Sequence, residues 1–490
     1  MSPAHYDALI LGSGQSGTPL ASAFAAAGKT VALVDKAHVG GTCINEGCTP
    51  TKTMIASGRV AYLARRGWED YGAGVPDARV EVDMKKIRQR KRDIVDRFRG
   101  GSEGRLKKAG VDVIKGEGRF KGEGGGKVVV VRGGGGKEGE REVSADVVFV
   151  NVGERPSRPE IPGLEGVRPE KVLDSTSIME LDEVPKHLIV LGGGYIGLEF
   201  GQLFRRLGAQ VTIVQRGKQL VPREDQDVAE EMLRILREDG ITVHLSASPL
   251  SIGRAVPTEE RLGEFGAYRL KTKLDSGAEE EIQGTHFLLA TGRVPNTANL
   301  NLDAVGIKTT PKGHIVVNDK FETGAPGIYA IGDVHGGPAF THISYDDYRI
   351  IRANLLPSQT APTAPAMHTS RASVSRNLTP YVVYTDPQLA HVGLHAKDLA
   401  GRKTKTAKMP MSYVARALET DETRGLMKAT VDAETGEILG FTCLGVEGGE
   451  IMAVVQTAMM GGLKWWDLEA AVWAHPSLAE SLNNLWGFLE

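Results

Sequence analysis

Short apolar runs alternate with glycine-rich turns and helical patterns in the first part of the chain. One apolar run covers residues 8–11, and a second ends at Asp35. Between them lies an alanine-rich helical stretch, and the three glycines before it are Gly12, Gly14 and Gly17. This order predicts strand, turn, helix and strand, in which glycines let the backbone approach a pyrophosphate and the acid binds a ribose hydroxyl. We predict a dinucleotide site here; the alternative is a plain strand–helix turn.

The same pattern recurs near the middle of the chain. It begins with an apolar run at 189–191, and its three glycines are Gly192, Gly194 and Gly197. The second apolar run ends in Gln215 and Arg216 rather than in an acid. An acid would repel a ribose 2′-phosphate, whereas an arginine pairs with it, so the pattern favours NADPH. A solvated arginine beside an NADH site is the alternative interpretation. Two such fingerprints suggest one bound flavin dinucleotide and one exchanging nicotinamide dinucleotide.

The remaining patterns predict the outline of the rest of the molecule. Residues 84–99 predict a long basic helix with one buried apolar stripe that contains Ile87, Ile94, Val95 and Phe98. The run 127–131 predicts a hairpin between glycine-rich ends. The stretch 357–370 predicts an interdomain linker, and the β-like runs and helices after it predict a separate α+β domain. The expected class is therefore α/β, with two Rossmann-like dinucleotide-binding domains and a C-terminal α+β domain.

Composition and charge exclude several classes of protein. Of the 490 residues, 41% are hydrophobic and 24% charged, as in a soluble globular protein of about three domains. A formal net charge of −2 gives no reason to expect nucleic acid or a membrane surface as partner, and we find no membrane-spanning run. With three cysteines and no basic, apolar leader, we expect a cytoplasmic protein in which any disulfide is catalytic.

Two of the three cysteines, Cys43 and Cys48, lie five positions apart in the stretch GGTCINEGCTPTK. A structural zinc site needs about four ligands, and no second Cys/His pair of suitable spacing is nearby, so redox chemistry is favoured. Five residues of regular helix rise about 7.5 Å, whereas a disulfide needs Cα atoms within roughly 7 Å. We therefore expect Cys43 in a turn relieved by Gly47, and regular helix over about 50–62. Both sulfurs then lie near a helix N-terminus, which favours the thiolate.

Several separated motifs together resemble one enzyme family. They are the cysteine stretch, both glycine fingerprints, ATGRVPN at 290–296, IYAIGD at 328–333 and HPSLAE at 475–480. In this order, over nearly the whole chain, they resemble the class I pyridine nucleotide–disulfide oxidoreductases, the family of dihydrolipoyl dehydrogenase, glutathione reductase and mercuric reductase. The resemblance implies FAD, an exchanging NADPH (NADH being possible), no metal cofactor and an obligate homodimer. The implied domains are an FAD-binding domain (1–155 and 285–356), an NAD(P)H-binding domain (156–284), a linker (357–375) and a dimerisation domain (376–490).

The resemblance implies a role for each residue at the reaction site. Cys48 would be the thiolate beside the flavin, and Cys43 the exposed thiol that attacks the substrate. Lys52 would lie near the flavin and pair with Glu199.

His475 and Glu480 also have an interpretation from the residues alone. The residue before a proline is extended and proline suits a first helical turn, so His475 should lie at a helix entrance with Glu480 about a turn further in. A glutamate that holds a histidine tautomer makes a general acid–base pair. The resemblance implies that this pair reaches the cysteines from the partner subunit.

The resemblance also implies which residues would bind the two cofactors. Asp35 would bind the adenosine ribose, Asp333 the ribityl chain, and Tyr195 would be an aromatic lid over the nicotinamide. Thr42 and Gly153 lie in segments that line the flavin in the family. The full set of expected cofactor-binding residues is Gly12, Gly14, Gly17, Asp35, Thr42, Gly153, Asp333, Gly192, Gly194, Tyr195, Gly197, Gln215, Arg216 and Gly292.

Departures from the family pattern narrow the branch. The chain ends in LWGFLE, without the vicinal cysteines of mercuric reductases, and lacks the acid that dihydrolipoyl dehydrogenases carry after the second nucleotide strand. It most resembles a bacterial mercuric-reductase-like branch that includes flavoenzymes of reactive-chlorine and metal stress. We expect a small disulfide or a soft metal ion such as Hg(II) or Cu(II) as acceptor. The alternatives are a dihydrolipoyl dehydrogenase, a non-enzymatic redox sensor and a flavin oxidase.

Two single residues complete the expectations. Glu46 stands where the family mostly has an apolar residue, and its charge is expected to disfavour anionic disulfides. Cys443 lies in an apolar run and is expected to be a buried free thiol.

Overall fold

The computed structural model describes residues 3–76, 79–122, 126–133, 139–255, 268–356 and 378–490. The expected linker, and most of the glycine-rich ends of the expected hairpin, lie outside these residues. The chain divides into two compact units. The first unit comprises 1–53, 89–157 and 293–375, and the second 54–88, 158–292 and 376–490.

The strands and helices of the described residues are numbered in chain order. The strands are β1 (Ala4–Leu11), β2 (Val31–Asp35), β3 (Asp112–Phe120), β4 (Val128–Gly133), β5 (Glu140–Val150), β6 (Glu154–Pro156), β7 (Val172–Leu173), β8 (His187–Leu191), β9 (Gln210–Val214), β10 (Thr242–His244), β11 (Ser248–Arg254), β12 (Tyr268–Lys273), β13 (Glu279–Gly284), β14 (His286–Leu289), β15 (Arg293–Pro295), β16 (Ile328–Ala330), β17 (Tyr381–Val383), β18 (Gln388–Gly393), β19 (Thr404–Pro410), β20 (Leu426–Asp432) and β21 (Ile438–Gly445). The α-helices are α1 (Gly17–Ala26), α2 (Gly41–Asn45), α3 (Cys48–Arg66), α4 (Met84–Ala109), α5 (Tyr195–Leu207), α6 (Gln226–Glu238), α7 (Thr341–Leu355), α8 (Ala415–Glu419), α9 (Gly448–Met460), α10 (Trp465–Ala470) and α11 (Ser481–Leu485).

The first unit is built on a parallel sheet in the order β3–β2–β1–β5–β16, and β4 pairs antiparallel with both β3 and β5. Alternate residues of β1 enter two apolar clusters: Leu9 and Leu11 belong to one, Ala8 and Ile10 to the other. Both faces of a parallel sheet are buried, which is why these strands are continuous apolar runs in the sequence. The first glycine turn, Asp35 and the segment after β16 all follow carboxyl ends of parallel strands, where α/β folds bind ligands.

The second unit contains three sheets. A five-stranded parallel sheet has the order β10–β9–β8–β14–β7, and β11, β12 and β13 form an antiparallel sheet. An antiparallel sheet in the order β17–β18–β21–β20–β19 carries the C-terminal part of the chain. Its core joins strand residues such as Phe441 to Ile451 and Val455 of α9. The two Rossmann-like sheets and the α+β part confirm the expected fold class.

Several local expectations are also confirmed, and two need correction. The valine run forms β4 of the expected hairpin, and Cys443 is a buried free thiol whose pKa burial raises to about 12. The long basic helix is α4, which continues to Ala109 instead of residue 99. The expectation that Phe98 belongs to its buried stripe is wrong, because 52% of that residue is exposed. No helix in the described ranges is both long and apolar enough to cross a bilayer.

Candidate active site

The two cysteines of the candidate site lie on two successive helical segments. Cys43 belongs to the short helix α2, and Cys48 is the first residue of α3. The break between them falls at Glu46 and Gly47, and a Cβ on Gly47 would lie 2.9 Å from the carbonyl oxygen of Thr42. The rise of a regular helix required such a break between the two cysteines. The expected bounds of the long helix, about 50–62, need correction, because it begins at Cys48 and ends at Arg66.

Cys43 and Cys48 are not joined in a disulfide, and a hydrogen bond between their side chains, followed by burial, raises the pKa of Cys43. The ammonium of Lys52, one helical turn after Cys48, opposes this rise without reversing it. A raised pKa favours the protonated thiol at Cys43, which runs against the expectation of a thiolate there. In the protein chain alone, Cys48 is exposed and Cys43 is half-buried.

Thr341 was not among the residues singled out from the sequence. It is the first residue of α7, and its hydroxyl lies 3.5 Å from Sγ of Cys48. No local pattern signals this contact, because 293 positions separate the two residues. Only the pairing of β16 with β5, which leads the chain into α7, brings Thr341 to the cysteines.

The first glycine turn is held in place by Asn151, a second residue that the sequence did not signal. Gly12 has φ +100°, and a Cβ there would lie 2.2 Å from the carbonyl oxygen of Asn151. The Asn151 side chain accepts a hydrogen bond from the Gly17 N–H at 3.0 Å and donates one to the carbonyl of Ile331 at 2.9 Å. Asp35 accepts from the backbone N–H of Ser13 at 2.9 Å. The turn, the strand end and β16 are thereby fixed to one another.

Asp333 lies just after β16 at the same edge of the sheet. Its pKa is raised, first by burial and then by the nearby carboxylate of Glu154, while Arg293 opposes the rise. The Ser344 hydroxyl donates to it at 3.3 Å. Gly153 has φ +63° with open space above it, and Thr42 is exposed.

These residues fit a bound FAD. Tightly packed glycines at the N-terminus of α1 leave no Cβ between the turn and a pyrophosphate, and polar groups for ribose and ribityl hydroxyls line the same sheet edge.

The second glycine turn repeats this construction. A Cβ on Gly192 would lie 2.3 Å from the carbonyl oxygen of Ala290, whereas the space above Gly194 is open. The Gln215 side chain accepts from the Gly193 N–H at 3.0 Å, just as Asp35 accepts from Ser13. Arg216, the next residue, is exposed.

Tyr195 begins α5 and stacks on Tyr381, with ring centroids 5.7 Å apart. Glu224 accepts a hydrogen bond from the Tyr381 hydroxyl at 2.6 Å, and burial raises the pKa of Glu224 to about 7. Glu199, also on α5, is buried and accepts from the Tyr384 N–H at 2.9 Å. Gly292 has φ +120° after β14.

His475 and Glu480 form the expected pair. Nδ1 of His475 lies 2.9 Å from both carboxylate oxygens of Glu480, which leaves Nε2 for proton transfer. The expected helix position is wrong, because α11 begins at Ser481 and Glu480 is therefore the residue before the helix. The 67% exposure of the His475 side chain leaves it accessible from outside its own chain.

Two dinucleotide-type sheets, a contacting cysteine pair and a histidine–glutamate pair define a flavin- and nicotinamide-dependent disulfide oxidoreductase. Family comparison agrees: residues 6–347 match the pyridine nucleotide-disulphide oxidoreductase family and residues 379–485 match its dimerisation domain. The chain belongs to this family. As a member it is an oxidoreductase that contains FAD and uses NAD(P)H, and its dimerisation domain indicates a homodimer.

Individual relatives share almost the full length of the chain. The probable pyridine nucleotide-disulfide oxidoreductase RclA of Escherichia coli is 34% identical, with 99% of each chain covered. A mercuric reductase of Lysinibacillus sphaericus is 32% identical over 98% of this chain and 82% of its own. The solved Cu(II) complex of the HOCl-induced flavoprotein disulfide reductase RclA from E. coli matches with a TM-score of 0.83, 33% identity and 99% of each chain covered.

Proposed function

We propose that this protein is a cytoplasmic, NADPH-dependent flavoprotein that passes electrons through Cys43 and Cys48 to a soft metal ion of the Cu(II) or Hg(II) class. The observation that carries the proposal is the hydrogen-bonded pair of cysteine side chains at the α2–α3 junction. Paired thiolates bind soft and thiophilic metal ions well. The similarity to a protein solved with Cu(II), and to a mercuric reductase, supports a metal acceptor over lipoamide.

FAD, when bound, supplies the chemistry that takes a hydride from the nicotinamide and gives two electrons to the disulfide. This chain's residues then manage the protons. Because the pKa of Cys43 is raised, its thiol needs a base before it reacts, and His475 is the base we assign. Glu480 fixes the His475 ring through Nδ1, and the Lys52 charge favours thiolate at the cysteine pair.

The partner subunit is proposed to deliver His475 to the cysteines. Four apolar side chains in the short segment before it are exposed: Met460, Leu463, Trp466 and Val472, the last completely. Exposed apolar groups this close together favour a protein interface. We keep the expected domain boundaries, 1–155 with 285–356, 156–284, 357–375 and 376–490, as part of this proposal.

NADPH is proposed as the favoured reductant. Gln215 stands where an acid would bind a free 2′-hydroxyl, and it is engaged with the glycine turn. The exposed Arg216 is then the group that pairs with a 2′-phosphate. The lack of an acid at the end of this strand also argues against the dihydrolipoyl dehydrogenase alternative.

The test measures consumption of NADPH and NADH by the FAD-loaded protein. The acceptors are Cu(II), Hg(II), glutathione disulfide, lipoamide and oxygen alone. Cys43→Ser removes one thiol of the pair, and Cys443→Ala is the matched control because it removes the remaining, buried thiol.

We expect metal-dependent turnover that Cys43→Ser abolishes and Cys443→Ala preserves. Turnover only with a disulfide would replace the metal acceptor. Metal or oxygen turnover that survives Cys43→Ser would remove the cysteine pair from the mechanism.

A further inference from the structure

Glu224, His391 and His395 form a buried polar cluster in the second unit, next to Tyr195, whose hydroxyl lies 3.5 Å from Oε1 of Glu224. One donor atom from each side chain lies within 4.8 Å of the other two. Glu224 is 5% and His391 2% exposed, and the His395 side chain is 11% exposed. The three come from the segment before α6, from β18 and from the turn after β18, so only the tertiary fold assembles them.

Two atoms of this cluster have unused bonding capacity. Within the described part of the chain, Oε2 of Glu224 and Nδ1 of His395 are buried without a hydrogen-bond partner. A buried polar atom without a partner costs about 1–3 kcal/mol, so native proteins rarely leave one unless another group binds it. Two such atoms in one cluster indicate a ligand that accepts electron pairs.

The other polar atoms are oriented as metal ligands usually are. Nε2 of His391 lies 3.2 Å from the carbonyl oxygen of Gly393. A carbonyl oxygen only accepts, so Nε2 carries the proton and the lone pair lies on Nδ1, as in metal-ligating histidines. A cation at Nδ1 would replace the Thr442 hydroxyl, from which Nδ1 accepts a hydrogen bond at 2.8 Å. Oε1 of Glu224 is held by the Tyr381 hydroxyl, which leaves Oε2 for a ligand.

The rings must adjust for a cation to enter. His391 and His395 lie parallel, with centroids 3.8 Å apart, and the Thr442 hydroxyl lies 2.8 Å from Nδ1 of His391. Tetrahedral ligands about 2.0–2.2 Å from zinc are about 3.4 Å apart, so the cluster has to contract by at most about 1.5 Å. The ring of His395, which is nearer the surface, would have to turn, and this would disturb the 3.1 Å hydrogen bond between its Nε2 and the Tyr381 hydroxyl.

We propose that Glu224, His391 and His395 bind one borderline divalent cation of the zinc class. Two imidazoles and one carboxylate are a three-residue zinc ligand set, and they suit Zn²⁺ better than the hard cations Mg²⁺ or Ca²⁺, which prefer oxygen. Asp225, whose carboxylate lies 3.8 Å from Nδ1 of His395, is paired with Lys428 at 2.8 Å and so adds little net charge beside the cation. Lys428 does not oppose it, because its charge is balanced by Asp225 and Asp227.

The test uses the FAD-loaded Cys43→Ser/Cys48→Ser protein, so that thiols cannot account for bound metal. It is dialysed against Zn²⁺, and metal per chain is counted; Co²⁺ replaces Zn²⁺ for visible spectra that report tetrahedral coordination. We expect one equivalent per chain. His395→Gln and Glu224→Gln should each weaken binding by at least about tenfold, since even loss of an outer-shell partner costs that much.

His187→Gln is the matched control, since His187 is a partly buried histidine of the same unit bonded to Thr212. FAD content and melting temperature show that each variant is folded. The proposal is overturned if the parent protein binds no Zn²⁺, or if folded His395→Gln protein binds it unchanged. Should Glu224→Gln fail to fold, His395→Gln, which is nearer the surface, still decides.

Discussion

In the second glycine turn, alanine substitutions at two glycines should separate the effect on packing from the effect on ligand binding. A Cβ on Gly197 would lie 2.1 Å from the carbonyl oxygen of Gly192, whereas a Cβ on Gly194 would meet nothing within 4 Å. Gly194 has φ −87°, so alanine fits its backbone without strain. We expect Gly197→Ala to destabilise the surrounding sheet by about 1–3 kcal/mol or more, the usual cost of overpacking. Gly194→Ala should cost only a few tenths to about 1 kcal/mol, as for a substituted helix cap.

For cofactor binding we expect the opposite order, with Gly194→Ala having the larger effect. A methyl group in the open space above Gly194 blocks the approach of a pyrophosphate, and a loss of 1.4 kcal/mol or more raises the KM for NADPH at least about tenfold. Steady-state kinetics measures the KM, and hydrogen exchange of the β8 amides measures local stability, because one unfolding free energy is not defined for a protein of several domains. FAD content should stay unchanged in Gly194→Ala. An unchanged KM in Gly194→Ala, or wild-type exchange protection in Gly197→Ala, would refute this reasoning.

Five further substitutions test charge, proton transfer and the pH dependence of stability. Arg216→Glu should lower kcat/KM for NADPH by about 10- to 100-fold, the value of a charge-assisted hydrogen bond, and leave NADH turnover nearly unchanged; equal losses with both nucleotides would contradict the 2′-phosphate role. His475→Asn should lower kcat by about 10²–10⁴-fold. Glu480→Gln should lower kcat by less and should shift its pH profile. An unchanged pH profile in Glu480→Gln would exclude Glu480 from proton transfer. Glu46→Val should raise turnover with glutathione disulfide by up to about fivefold, and this increase should become smaller when salt is added. Unchanged turnover would show that the exposed Glu46 charge does not determine substrate specificity. Burial and the nearby Lys171 lower the pKa of His286 to about 4, so the unfolded chain binds the extra proton and stability is lost as pH falls from about 6.5 to about 4. His286→Gln should flatten this slope in hydrogen exchange of the β14 amides, corrected for the intrinsic pH dependence of exchange, and an unaltered slope would place the pH dependence elsewhere.

The sequence by itself determined the local features of the fold. Glycine spacing between two apolar runs specifies a strand–turn–helix unit, because only glycine fits where a Cβ would meet backbone about 2 Å away. Helical rise alone required a break between Cys43 and Cys48, and the structure has it. The ends of elements were less accurate: α3 begins at Cys48 because the first helical turn needs no preceding hydrogen bonds, which apolar periodicity does not signal.

Only the tertiary structure decided which distant residues meet. Asn151 locks the first glycine turn and Thr341 touches Cys48, yet neither belongs to a local pattern. The raised pKa of Cys43 depends on its contact with Cys48 and on burial, which a sequence does not state. Glu224 and His391 are joined across 167 positions by strand pairing and helix packing. Periodicity and turn chemistry act over a few residues, whereas burial, hydrogen-bond partners and electrostatics are set by contacts between segments far apart in the chain.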